Sequence, residues 1–182
     1  GWTWNGNHSS PARGSGTYTL NGAGANLLVY GGEYVGNIGD GTFTQNDGTH
    51  VIRGDLNIAS DWTGSPSQVR STGVFNYNGG TLDVHGNARV GGWGNGSFTM
   101  ADGLTFKASI LHLAEQAGSS GVFHMGTAGG SGTAVRISDL CLGNGAGATA
   151  TFNHNNGAME DHGVITLAQG AGANATYNFV AG

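Results

Sequence analysis

The chain has 182 residues, a net charge of −5, 6 Lys and Arg residues, 37 glycines and 2 prolines. So few cations remove the electrostatic basis of nucleic-acid binding, and glycine without a strict triplet period or abundant proline excludes collagen. No apolar run approaches the roughly 18 residues of a membrane-spanning helix, the patterned apolar residues argue against disorder, and the single Cys141 cannot form an internal disulfide.

Residues 1–15 precede the first clear repeat. Trp2-Thr3-Trp4 alternates as a strand does, which places both rings on one face, and Asn5-Gly6-Asn7-His8-Ser9-Ser10-Pro11 reads as a loop. This segment is expected to be an N-terminal cap or a strand donated to a neighbour.

From residue 16 to 182 the chain repeats. Seven pairs, each an aromatic residue, one spacer and a second residue, recur with glycines nearby: Tyr18/Leu20, Phe43/Gln45, Phe75/Tyr77, Phe98/Met100, Phe123/Met125, Phe152/His154 and Tyr177/Phe179. Successive aromatics stand 25, 32, 23, 25, 29 and 25 residues apart. Each repeat adds a short alternating piece, as in Leu27/Val29, Leu82/Val84, Leu104/Phe106 and Val135/Ile137. A third follows, as in Leu56/Ile58, Ala88/Val90, Leu111/Leu113, Leu140/Leu142 and Ile165/Leu167.

Period-two alternation turns each pair toward one face. Three short strands per repeat, separated by Gly, Asn and Asp corners, describe one coil of an all-β fold. The predicted fold is a single right-handed parallel β-solenoid of about six to seven coils of roughly 25 residues, incomplete in its last coil. The aromatics then form an internal ladder. The second repeat carries an excess at 59–68 and the fifth a smaller one at 126–132, both expected as surface loops. Gln45, His154 and Glu33 fall at inward positions. A buried carboxylate is costly unless paired, so Glu33 is read as a bulge or a shift of register.

The densest polar cluster, His154-Asn155-Asn156-Gly157-Ala158-Met159-Glu160-Asp161-His162, has metal-ligating residue types but no closed zinc spacing. It reads as a solvated corner, so no metal or other cofactor is expected. The carboxylates are scattered over corners rather than paired as glycoside cleavage needs. Asp55 and Asp139 share equivalent corners and read as Asx turns. Arg89 aligns with Asn57 and Arg53 with His85, so no basic cluster forms across coils. Cys141, between Leu140 and Leu142, faces outward with no base at a motif spacing. These absences point away from an enzyme. Trp62, in the longer insertion, is the candidate ligand contact, with Trp93 and Tyr34 as further aromatic surfaces on which a sugar ring stacks. The Thr-x-Thr pairs do not persist from coil to coil, so a regular ice-binding array is not expected.

The run Gly41-Thr42-Phe43-Thr44-Gln45-Asn46-Asp47-Gly48, then Gly54-Asp55-Leu56-Asn57-Ile58, then Gly73-Val74-Phe75-Asn76-Tyr77-Asn78-Gly79-Gly80-Thr81-Leu82 resembles the glycine-rich β-strand repeats of bacterial surface proteins. Those are found in autotransporter-type passengers and exosortase-sorted exoproteins. The resemblance implies a solenoid at the cell surface or outside the cell, with a structural or adhesive role.

The expected function follows from the ends. Trp2 and Trp4 at one end and Tyr177, Phe179 and Val180 at the other are expected to form subunit interfaces. Copies then stack head to tail into a fibre, sheath or adhesive layer. The expected partner is the chain itself, with a surface polysaccharide as a further one. The alternative reading is a carbohydrate-binding or carbohydrate-active β-helix.

Overall fold

The computed structural model describes residues 14–60 and 70–180. Coil 1 comprises β1 (Ser15–Leu20), β2 (Asn26–Val29) and β3 (Glu33–Val35); coil 2 comprises β4 (Asp40–Gln45), β5 (Thr49–Ile52) and β6 (Leu56–Ile58). Coil 3 is β7 (Thr72–Tyr77), β8 (Thr81–Val84) and β9 (Ala88–Val90); coil 4 is β10 (Asn95–Met100), β11 (Thr105–Lys107) and β12 (Ile110–Leu113). Coil 5 is β13 (Ser120–Met125), β14 (Ala134–Ile137) and β15 (Asp139–Leu142); coil 6 is β16 (Thr149–His154), β17 (Ala158–Asp161) and β18 (Ile165–Leu167). A last strand, β19 (Asn174–Phe179), lies over β16.

Every strand pairs in parallel with the equivalent strand of the next coil. Sheet I runs β1-β4-β7-β10-β13-β16-β19, sheet II runs β2-β5-β8-β11-β14-β17 and sheet III runs β3-β6-β9-β12-β15-β18. Sheet I keeps one register throughout: Tyr18, Phe43, Phe75, Phe98, Phe123, Phe152 and Tyr177 are successive partners. Their ring centroids stand 4.7–5.1 Å apart, with interplanar angles of 18° or less. The ladder expected from the sequence is therefore the spine of the core. The inward residues of sheets II and III, such as Phe106, Leu111, Val135 and Leu140, close around it and are fully buried.

The residue two places after each aromatic also points inward. Where it is polar, it serves the backbone at the following corner. Gln45 Nε2 donates to Thr81 O at 3.0 Å. Tyr77 donates from its hydroxyl to Gly80 O at 3.0 Å and accepts from Leu82 N. His154 Nε2 donates to Gly157 O at 3.1 Å, while its Nδ1 accepts from the Tyr177 hydroxyl at 2.8 Å.

The corner after sheet III needs a left-handed residue. Six in succession occupy it, and glycine alternates with alanine: Gly36, Ala59, Gly91, Ala114, Gly143 and Ala168, with φ between 53° and 74°. A Cβ on Gly36 would lie 2.0 Å from Thr72 O, and one on Gly91 1.9 Å from Ser120 O.

Three expectations are corrected. Glu33 is neither bulged nor out of register: it pairs with Leu56, faces inward and is 8% exposed. The partner that makes this tolerable is His50 on the neighbouring sheet, 2.8 Å away and fully buried. Asp55 and Asp139 are not Asx turns. Each carboxylate accepts a backbone N–H from the following coil, Asn87 N and Val164 N respectively, both at 2.8 Å, so they fasten coil to coil. Leu104 precedes its strand rather than joining it, and packs partly buried against the core beside the fully buried Phe106.

The loop at 126–132 is where its sequence excess placed it, between β13 and β14. Asp102 of the preceding coil fixes it, accepting from Thr127 Oγ1 at 2.6 Å and Thr127 N at 2.9 Å. These bonds, together with one from Asn156, hold the Asp102 carboxyl below its ordinary range. Residues 61–69 of the larger insertion, with Trp62, lie outside the described residues.

Candidate functional site

Two kinds of surface stand out among the described residues: the ends of the solenoid and a cleft in its wall. Stacking buries every inward side chain of a middle coil between two neighbours, whereas the first and last coils lack one of them. The exposed large hydrophobic side chains among the described residues all lie in the terminal coils, some on the open faces and some, such as Leu28 and Tyr30, turned outward. Tyr18, Leu28 and Tyr30 belong to the first coil. Val164, Ile165 and Leu167 flank or form β18, and Phe179 and Val180 close the series, Phe179 being 66% exposed. Of the residues expected at subunit interfaces, Phe179 and Val180 are exposed, while Tyr177 stacks on Phe152 at 5.0 Å and is half-buried. Trp2 and Trp4 lie outside the described residues.

The first coil is hollow at its open side. A cavity of about 460 Å³ is lined by Tyr18, Leu27, Val29, Glu33, Val35 and Phe43, among others. Its polar lining includes Asn37, Asp40 and the Glu33 carboxylate, whose Oε2 meets His50 Nε2 while Oε1 has no hydrogen-bond partner among the described residues. The His50 ring also stacks on Phe43, with centroids 4.9 Å apart. His50 belongs to no motif, yet its place in the repeat marks it. Thr49-His50-Val51-Ile52 aligns with Asn26-Leu27-Leu28-Val29, so His50 stands at a core position.

The wall cleft lies on sheet III, has a volume of about 260 Å³ and is lined by Tyr34, Asp55, Asn57, Ser60, Arg89, Gly92, Trp93 and Glu115. Tyr34, Asn57, Arg89 and His112 are outward residues of successive coils in one register. Arg89 braces the group: its Nη1 reaches Asp55 Oδ2 at 2.6 Å and its Nε reaches Glu115 Oε2 at 3.0 Å. Burial alone would raise the Asp55 carboxyl. The hydrogen bonds and charge of Arg89, with the Asn87 N–H, reverse this and hold it below its ordinary value. Burial lowers the pKa of His112 as well, favouring its neutral form beside the guanidinium. Glycoside cleavage needs a carboxylic acid that keeps its proton, and an Asp55 held ionised by Arg89 does not supply one. Cys141 continues this row over His112 and is half-buried, and burial raises its thiol.

The 154–162 stretch does not converge on a metal. His154 is turned into the core, Glu160 pairs outward with Arg136 at 3.0 Å, and Asp161 Oδ1 accepts from Gly163 N. Asn156 is buried against Asp102 and Thr127. Among the described residues no group of three or more His, Cys, Asp or Glu side chains is placed to hold an ion. No helix of the described residues is long and apolar enough to cross a membrane.

No protein family, curated protein or solved structure matches the chain.

Proposed function

We propose that the chain is an extracellular structural module that associates end to end into a fibre, sheath or surface layer. The observation that carries this reading is the confinement of exposed large hydrophobics to the first and last coils, with the wall between them free of such residues among the described residues. Among the described residues no strand pairs with the outer edges of β1, β2 and β3 or of β17, β18 and β19, and such edges are a template for further parallel pairing. Contact between unlike ends is heterologous and does not close, so it propagates.

The test is sedimentation with negative-stain microscopy of the full chain. Association into rods many subunits long is expected by about 100 μM. The Ile165→Asp/Phe179→Asp variant is expected to stay monomeric, because it places charge on the exposed apolar end. A wild-type chain that stays monomeric, or a variant that still forms rods, would sink the reading.

The cleft on sheet III favours a second reading, in which the wall binds an uncharged sugar ring. Tyr34 and Trp93 offer ring faces for stacking. Arg89 Nη2 and Glu115 Oε1 are not spent on partners among the described residues. At about 260 Å³ the cleft falls below the ~300–1,000 Å³ of typical ligand pockets, which suits one ring rather than a long chain segment. Calorimetry with cellohexaose, xylohexaose and chitohexaose is the check. At least one is expected to bind, with affinity reduced about tenfold or more by Trp93→Ala. If none binds at about 10 mM, or Trp93→Ala changes nothing, this second reading fails.

A further inference from the structure

Sheet I differs from the other two walls in what it shows to solvent. An outward side chain stands on either side of each ladder aromatic. Those before it are Thr, Val or Ser and those after it are Thr, Asn or His, all exposed or half-buried. None of these places holds Asp, Glu, Lys or Arg, and Asp40, at the start of β4, is the one such residue in the seven strands. The outward places of sheet II, by contrast, include Asp83, Lys107, Arg136 and Glu160, and sheet III presents Arg89. We propose that the outer face of sheet I is a lateral interface, on which the sheet I face of a second copy packs.

The face is prepared for dry packing in two ways. From Phe43 to Tyr177 the ladder rings differ in plane by 8° or less between neighbours, as in a sheet with little twist. Untwisted sheets of many strands are unusual, and are held by side-chain ladders or by stacking on another sheet. The outward polar groups also pair along the rod. Asn76 Nδ2 donates to Thr44 Oγ1 at 3.3 Å, Asn178 Nδ2 to Asn153 Oδ1 at 2.8 Å, and Asn153 Nδ2 to His124 Nδ1 at 3.2 Å. Amides satisfied in this way lose less when water is removed. Parallel strands in one register, with small uncharged side chains and Asn ladders, are what close sheet-on-sheet packing requires.

The area fits a second copy. Seven strands of six residues, about 4.8 Å apart, give a face of roughly 600–700 Å², close to the ~800 Å² per partner of a standard interface. Its small side chains offer no large anchors, so single rods are expected to pair with a dissociation constant on the order of 1 mM. Along a filament the contact repeats at every subunit, and avidity makes it durable. The pairing goes beyond end-to-end association, rests on it for strength alone, and turns a fibre into a ribbon. A polysaccharide surface suits the face less well. Sugars stack on aromatic rings, and no outward place on sheet I holds Phe, Tyr or Trp. Because β10 is the fourth of the seven strands, a two-fold that overlaps the faces fully lays it against the same strand of the second copy.

Ser97→Lys/Thr99→Lys places charge at the centre of this face and tests it. Negative stain of the full chain should show ribbons two rods wide for wild type and single rods for the variant. Thr81→Lys/Thr105→Lys, outward on sheet II, should leave the ribbons intact. Sedimentation equilibrium of the Ile165→Asp/Phe179→Asp chain at about 1 mM separates this contact from the ends. A monomer–dimer mixture is expected there, and addition of Ser97→Lys/Thr99→Lys should return it to monomer. If wild type forms no filaments, the end-to-end reading falls and the end-blocked chain alone decides the pairing. Monomers at that concentration, or ribbons and dimers that survive the sheet I lysines, overturn the proposal. Rods that do not pair, yet bind microcrystalline cellulose or chitin until those lysines are introduced, also overturn it and give the face to a polysaccharide.

Discussion

Phe98→Ala is expected to cost about 3–5 kcal/mol of stability, the range for a fully buried aromatic truncated to alanine. The ring has no exposed surface and touches three others: Phe75 at 5.1 Å and Phe123 at 4.7 Å in the ladder, and Phe106 at 5.0 Å, tilted by 53°. The hole would sit mid-rod, where neighbouring rungs are held in register on both sides and relax little. Denaturant unfolding followed by circular dichroism measures the effect. Tyr18→Ala, at the exposed start of the same ladder, should cost much less. Equal losses at the two sites would show that the ladder does not act as a packed spine.

The second large effect concerns the buried pair. His50→Leu alone leaves the Glu33 carboxylate in an apolar setting without its counterpart and is expected to destabilise by about 3 kcal/mol, the lower end for a broken buried pair. The lower end applies because the Glu33 side chain keeps 10% exposure at the mouth. The double change Glu33→Leu/His50→Leu should recover that loss, because equivalent positions in other coils are Leu56 and Ala88 on sheet III and Leu82 on sheet II. A buried polar pair costs desolvation that leucines do not. A double variant as unstable as the single one would mean that the pair performs a task packing cannot replace.

The fold was legible because the aromatic position is invariant in type and sits on the longest strand of each coil. Phe43, Phe75, Phe98, Phe123 and Phe152 announce a period that no sandwich requires. The polar core positions were harder. Glu33 read as a defect because its partner lies 17 residues on, in another sheet of the next coil, and no local pattern links a Glu on one strand to a His on another. Aligning the coils would have exposed both, since each stands where its neighbours carry aliphatic residues. Asp55 and Asp139 were misread for a related reason. Their residue type and corner position suggest a local turn, whereas their bonds run along the axis to the following coil. The cleft was visible only in part. Tyr34 and Trp93 stand out as aromatics, but Arg89 has no basic neighbours in the aligned coils, and its role is to join two acids. That grouping depends on Glu115, which lies beyond the end of β12 and aligns with nothing in the strand pattern.

The alternation of glycine and alanine at the left-handed corner has a consequence for folding fidelity. In a chain of near-identical rungs, the nearest misfolded state skips or doubles one rung and pairs the rest normally. Such a slip would bring Ala59 or Ala114 to sites where Gly36 or Gly91 leaves 2.0 Å or less between an added Cβ and a carbonyl oxygen. A slip of two rungs restores glycine to glycine and carries no such collision. The corners therefore impose a parity on threading. They oppose a one-rung slip as a rung closes, and the last of them, Gly143, is restricted only by its φ of 70°, since an added Cβ there would make ordinary contacts of 3.5 Å or more. Mis-threaded molecules should accordingly be rare, and those that form should differ from the native rod by pairs of rungs, with errors gathering toward the C-terminal coils.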